Sequence, residues 1–369
     1  MRGKREQQVT MLVAVTPDEL VPPDHPIRHI KPIVDSALSE LSSTFNRMYS
    51  DVGRPSIPPE HLLKASLLIG LYSIRSERQF CERLRYDMLF KWFLDLNIMD
   101  PAFDATTFTK NRKRLLEHHV AREFLGEVVE EARRRHLLSE DHFTVDGTLL
   151  EAWASLKSIR PKDGGDAPVT GEKDPSVDFR GEQRTNDTHR STTDPEALLA
   201  RKGQGKEARL CFAGHVLMEN GNGLVVDVAV TRATGTAERD TALDMLERVP
   251  GLRRITVGAD KNYDTHDFVE ACRELNITPH VAQRQWTNLD QRTVRHPGYR
   301  VSQRVRKRVE EIFGWVKTVG GGRKLRYKGV RRNQLWAELT AAAYNLVRMA
   351  KLAAAELVIQ GGSAPEGSR

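Results

Sequence analysis

The apolar positions change period along the chain. From Pro32 to Met48, Ile33, Val34, Ala37, Leu38 and Leu41 recur at helical spacing, and Pro32 suits a first turn. Pro58-Pro59-Glu60 marks another helix start, leading into Leu62, Leu63, Leu67, Leu68 and Ile69. Ser76-Glu77-Arg78-Gln79 opens a third helix, and Tyr86 to Leu96 carries Phe90, Trp92 and Phe93 at core spacing. Asp104 caps a further helix. From Asp141 the period shortens. Phe143-Thr144-Val145-Asp146 is a β-rich run ended by an acid and Gly147. Ala208–Met218 and Leu224–Val230 are strands joined by Glu219-Asn220-Gly221-Asn222-Gly223, a strong hairpin signal. Ala237–Val249 is helical, and Arg254–Asp260 is a short buried strand again ended by an acid. Thr265–Leu275 is a helix, Ile277–Ala282 a strand, and Leu335–Ile359 a long Ala- and Leu-rich helix expected to cross the sheet.

The order is strand, two-stranded hairpin, helix, strand, helix, strand, helix. It predicts an α/β fold, a ribonuclease-H-like mixed sheet flanked by helices, behind an all-α N-terminal domain. The expected divisions are a proline-rich extended arm over 1–30, a helical unit over 31–136, the α/β domain over 137–333, and a C-terminal helix and tail over 334–369. Residues 157–206 are polar and rich in Gly, Pro, Asp and Lys, and read as a long loop or insertion. The N-terminal helices fit either a helix-turn-helix-like DNA-binding unit or a plain bundle whose charges face water.

Arg304 to Lys317 reads as one helix, with Val301, Val305, Val309, Ile312 and Val316 as its core stripe. Arg306, Glu310, Phe313 and Lys317 follow at i, i+4, i+7 and i+11, so an acid and two cations share one face. Glu311 points about 100° away. A solvated salt-bridge ladder is the plain alternative. The net charge of +7 says little by itself, but its distribution says more. Basic residues crowd Arg300 to Arg332, including Arg304, Lys307 and Arg308, and a second knot holds Lys110, Arg112, Lys113 and Arg114. Two such patches favour a nucleic-acid partner.

Cys81, Cys211 and Cys272 are scattered and odd in number, so neither a disulfide framework nor a zinc site is expected, and a reducing cytoplasm suits the chain. Arg2, Lys4 and Arg5 lead into Glu6-Gln7-Gln8 rather than an apolar run, which argues against a signal peptide. No apolar stretch reaches the roughly 18 residues of a membrane span. His215 and His266 are isolated and read as core or surface residues.

Asp146 and Asp260 each end an apolar strand, and Glu310 sits on the helix after the last strand. Three carboxylates converging at one end of a sheet repel unless a cation lies among them. Oxygen ligands without Cys or His point to Mg²⁺ or Mn²⁺. Two such ions about 4 Å apart serve phosphodiester chemistry, with Arg306 and Lys317 gripping the phosphate. Singly, Asp146 also fits a turn residue and Asp260 a helix cap. Trp286 either stacks on a displaced base or is a partly buried loop tryptophan.

These segments resemble the DDE transposases of bacterial insertion sequences, in the broad IS-four/IS-five superfamily. The likeness is carried by Thr144-Val145-Asp146-Gly147-Thr148, by Val257 to Asp264, and by Arg306, Glu310 and Lys317. The last set follows the family signature of Tyr, two residues, Arg, three residues, Glu, six residues, Lys. Gln303 stands where the tyrosine would be, with Tyr299 one turn earlier. Ser76–Phe80, Phe90–Phe93, Thr193–Ala197 and Gly214-His215 also resemble the family. The resemblance implies that Asp146, Asp260 and Glu310 bind two divalent ions, that terminal inverted repeats and target DNA are the partners, and that a homodimer forms on DNA. A nuclease without strand transfer and a non-catalytic DNA-binding protein are the alternatives.

Overall fold

The computed structural model describes residues 14–361 except 51, 54, 163–183, 204, 250 and 252, with side chains described to residue 355. Eight helices come first: α1 (Pro17–Leu20), α2 (Ile27–Glu40), α3 (Ser42–Met48), α4 (Pro59–Leu71), α5 (Glu77–Leu84), α6 (Met88–Phe93), α7 (Ala105–Glu117) and α8 (Val120–Arg134). The expected extended arm is corrected over its described part. Thr16 caps α1, the Asp18 carboxylate accepts from Trp92 Nε1 at 2.8 Å and pairs with Arg28 at 2.9 Å, and Val21 is buried. The rest of that arm lies outside the described residues. Helix α2 begins before Pro32, because Ile27 and Ile30 extend the buried stripe that Ile33 and Val34 continue. That burial outweighs the hydrogen bond a mid-helix proline removes.

The second half alternates as expected. Strands β1 (His142–Glu151), β2 (Ile159–Pro161), β3 (His189–Ser191), β4 (Leu198–Ala200), β5 (Arg209–Glu219) and β6 (Val225–Arg232) lead to α9 (Ala237–Glu247). Then come β7 (Ile255–Ala259), α10 (His266–Glu274), β8 (Ile277–Val281), α11 (Gln291–Arg295), α12 (Pro297–Val305), α13 (Val309–Thr318) and α14 (Val330–Gly361). The main sheet runs β6-β5-β1-β7-β8. Its first three strands are antiparallel, β1, β7 and β8 are parallel, and β4 pairs the far end of β5. This is the ribonuclease-H-like mixed sheet that the strand order predicts. The segment 157–206 is more structured than expected where it is described, since β2 and β3 form a small hairpin and β4 joins the sheet.

Alternation along β1 divides the core. Phe143 and Val145 face α9 and α10, where Met245, Leu246, Phe268 and Val269 bury them. Leu150 faces the other way, onto Val309, Ile312 and α14. That second face shares one core with the N-terminal helices, because α14 lies against α8, α4, α2 and β6. Among the described residues, no helix is long and apolar enough to cross a membrane.

The single helix expected over Arg304–Lys317 is corrected. A 3-10 turn at Arg306–Arg308 separates α12 from α13. At that turn Arg308 donates to the Asn220 and Gly221 carbonyls of the β5–β6 hairpin at 3.0 and 2.6 Å. The stripe breaks with it: Val309 and Ile312 are buried, but Val301 is 60% exposed.

Candidate active site

Strand β1 is longer than its neighbour. It pairs with β7 only from His142 to Thr144, where Thr144 faces Gly258. The pairing stops there, so Asp146 and Asp260 each follow two residues after the last paired position of their strands. Asp146 stays hydrogen-bonded into β5 opposite Val216, so the sheet holds it rigidly while its β7 side opens. Its Oδ1 accepts from the Gly147 N–H at 2.8 Å. Asp260 caps the turn after β7, accepting from the Asn262 N–H at 2.7 Å. The capping role anticipated for it is real and leaves its second oxygen free for the cleft.

A third acid, which the sequence reading missed, approaches the same strand from its α9 face. Glu238, in the first turn of α9, reaches the β1 backbone at Gly147. Burial raises the Asp146 carboxyl to about 7, and the Asp260 and Glu238 charges add to that shift against the Gly147 N–H and Arg306. Burial and the Asp260 charge raise Glu238 as well. Glu238 is a first-turn acid of α9, a position that a helix dipole by itself favours. The available signal was Gly147, a glycine inside a strand, which marks close approach by another group.

The basic residues arrive from the opposite face. Arg306 packs its Cβ against Gly258, and its Nε donates to Gln303 Oε1 at 2.9 Å. Gln303 in turn donates to the His280 carbonyl, so the residue at the tyrosine position positions Arg306. Tyr299 cannot stand in for that tyrosine, since its hydroxyl is buried on the Val281 carbonyl at 2.7 Å. Lys317 Nζ donates to Thr148 Oγ1 at 2.6 Å, two residues beyond Asp146 on the same face. Burial and the nearby Lys202 lower the Lys317 pKa, while Asp146 opposes them. Arg306 in the 3-10 turn is thus anchored at Gly258 of β7 and Lys317 of α13 at Thr148 of β1, with Glu310 between them along the chain. Glu310 is exposed and makes no ion pair among the described residues, whereas Glu311 is held by Arg348 at 3.0 Å.

Among the described residues, no three acids or imidazoles close to coordinating distance. The donor chemistry nevertheless fits a hard cation. The cluster offers carboxylate oxygens only, and their mutual repulsion is what a divalent ion relieves. His215 is buried on Thr231 Oγ1 at 2.8 Å, and His266 is exposed beside Glu270.

The expected DNA contacts divide. Arg304, Lys307 and Lys110 are exposed. Arg112 pairs with Glu77 and lies over Tyr327 at 4.6 Å, and Arg114 lies over Tyr49 at 4.9 Å, so both have partners inside the fold. Lys113 is exposed near Glu117 at 3.6 Å. The partly buried alternative for Trp286 is corrected: it is 85% exposed. Its loop is pinned from below by buried Asp264, which accepts from the Arg284 and Asn288 N–H groups at 2.9 Å each.

Residues 15–114 match the family described as "Transposase domain (DUF772)", and residues 174–346 match "Transposase DDE domain". A piggyBac transposase synaptic complex with hairpin DNA is similar at 9% identity, over 89% of this chain and 76% of that one, with a TM-score of 0.43. The Mos1 strand transfer complex is similar at 11% identity, over 84% and 81%, with a TM-score of 0.20. No curated protein matches.

Proposed function

The chain belongs to the DDE transposases, and from that membership we propose how it works on DNA. It binds the terminal inverted repeats of its own element, hydrolyses phosphodiester bonds at the ends, and joins the freed 3′-hydroxyls to target DNA. The reading rests chiefly on one observation: Asp146 and Asp260 each follow the paired ends of neighbouring parallel strands, with Arg306 packed on Gly258 and Lys317 bonded to Thr148 on those same strands.

Asp146 and Asp260, with Glu310 from α13, hold the divalent cations. When bound, two Mg²⁺ or Mn²⁺ ions activate a water or 3′-hydroxyl and stabilise the leaving oxygen. Asp146 must lose its proton to take part, and its sheet-fixed backbone sets where that carboxylate stands. Arg306 and Lys317 grip the phosphate beside the scissile bond. Lys317 approaches it already tethered to Thr148, so little side-chain freedom is lost on binding. Arg304, Lys307, Lys110 and Lys113 make backbone contacts that fix the register of the DNA. Trp286 stacks on a base displaced at the element end. Two ends must meet before joining, so the working form is a homodimer on DNA.

A supercoiled plasmid carrying paired ends, incubated with Mg²⁺ and the protein, tests this. Joined products are expected. Nicked or linear products alone would reduce the protein to a nuclease, and tight end binding without cleavage would make it a DNA-binding protein only.

A further inference from the structure

A cleft of about 610 Å³ lies away from the catalytic acids, at the starts of the parallel strands. His142, Thr256 and Thr278 are paired side by side there, and His280 pairs with Gly258 two residues further on. By strand alternation these side chains share the face on which Arg306 packs against Gly258. Asp146 is on that face too, four residues beyond His142 and about 13 Å along the strand. The turn at Arg306 covers the middle of the face, so the cleft and the acids lie on either side of it. Gly298, Val301, Ser302 and Val305, one flank of α12, form the outer wall. Val301, expected in the core stripe, is 60% exposed on that wall.

The lining is cationic. Arg254 and Arg292 are exposed at the rim, and neither makes an ion pair among the described residues. Asp290, which also lines the cleft, is taken by Arg273 at 3.0 Å and by the Thr293 N–H at 2.6 Å. Three imidazoles join the arginines. His296 Nδ1 accepts from the Gly298 N–H at 3.1 Å, so Nε2 carries the ring hydrogen. His142 Nδ1 is held on Thr256 Oγ1 at 2.7 Å. His280 is 4% exposed, with Nδ1 on Ser302 Oγ at 2.7 Å. In each ring the bonded nitrogen is Nδ1, which leaves Nε2 for a ligand. Burial, then the charges of His296 and His142, depress His280 to about 4. An anion among these groups relieves their mutual repulsion.

We propose that this cleft binds a nucleoside phosphate, free or at the end of a DNA strand. The phosphate lies among Arg254, Arg292 and the imidazoles, and the nucleoside lies on the Val301–Val305 wall. The volume suits a ligand larger than a bare anion. The site is separate from the reaction above and needs no divalent cation. Its plain alternative is a groove whose charges meet only water.

Calorimetric titration of the full chain with thymidine monophosphate, in chelator and without DNA, separates the two. Melting is recorded for each variant, and the exposed Val301 can change without loss of packing. Val301→Glu is expected to weaken binding by about tenfold or more, and Val301→Lys to tighten it by about threefold. Arg254→Ala with Arg292→Ala should weaken it by about tenfold or more, whereas Lys317→Ala, on the far side of the Arg306 turn, should change it little. Displacement of the nucleotide by a 5′-phosphorylated thymidine oligomer would assign the site to a strand end, and failure to displace it would assign the free nucleotide. No binding by the wild type, or full affinity in both Val301→Glu and the double arginine variant, would overturn the site and leave the reaction standing. Binding abolished by Lys317→Ala but not by Val301→Glu would move the nucleotide to the catalytic acids and overturn it equally.

Discussion

Lys110 to Arg114 on α7 and Arg304 to Arg308 before α13 each carry four cations within five residues. Their partners differ in kind. On α7, Arg112 meets the Glu77 carboxylate and Lys113 lies near Glu117, so charge is cancelled inside the helical region. Before α13, Arg306 donates to the Gln303 amide and Arg308 to two backbone carbonyls. Those acceptors are neutral. They fix the guanidinium groups without removing their charge, and Arg304 and Lys307 remain open. A basic run becomes a phosphate-binding surface when its internal partners are neutral. It becomes a structural clasp when they are acids.

Four variants sharpen this contrast. The largest effect is expected from Arg306→Ala, which should lower the end-cleavage rate by about a hundredfold or more, while end binding in a mobility-shift assay falls far less. Arg112→Ala should instead destabilise the fold by about 2 kcal/mol in urea, because it strands a half-buried Glu77, with no change in the salt dependence of DNA binding. The double change Arg304→Ala with Lys307→Ala should leave melting unaltered and reduce the salt slope of binding by about two. The smallest effect concerns the acids that the second run faces. The Asp146 carboxyl is raised by burial to about 7, above its ordinary 3.8. Its contribution to cation-free stability is therefore present below about pH 4 and lost as pH rises through about 7. Asp146→Asn should flatten the melting temperature across that window and raise it by a few degrees at pH 8.

Much of the fold was legible because local pattern and tertiary need agree. The hairpin at Glu219–Gly223 and the apolar runs before Asp146 and Asp260 carry their period openly, and the parallel register sets those two runs side by side. What escaped depends on contacts between distant segments. The 3-10 turn at Arg306–Arg308 follows from the pull of the Asn220–Gly221 carbonyls on Arg308, which no helical period records. The docking of α1 depends on Trp92, far along the chain. Glu238 reaches the β1 backbone only because Gly147 has no side chain, and a glycine in a strand does not say which residue will fill the space. The choice between Glu310 and Glu311 came from spacing alone. The structure adds a physical difference, since Arg348 occupies Glu311.

That choice gives the most direct test of the active-site assignment: Mg²⁺-dependent cleavage at an element end by wild type, Glu310→Gln and Glu311→Gln, with end binding measured alongside. Glu310→Gln should lose cleavage by about a hundredfold or more while still binding the end, and Glu311→Gln should cleave nearly as wild type. Full cleavage by Glu310→Gln, with loss in Glu311→Gln, would contradict the assignment.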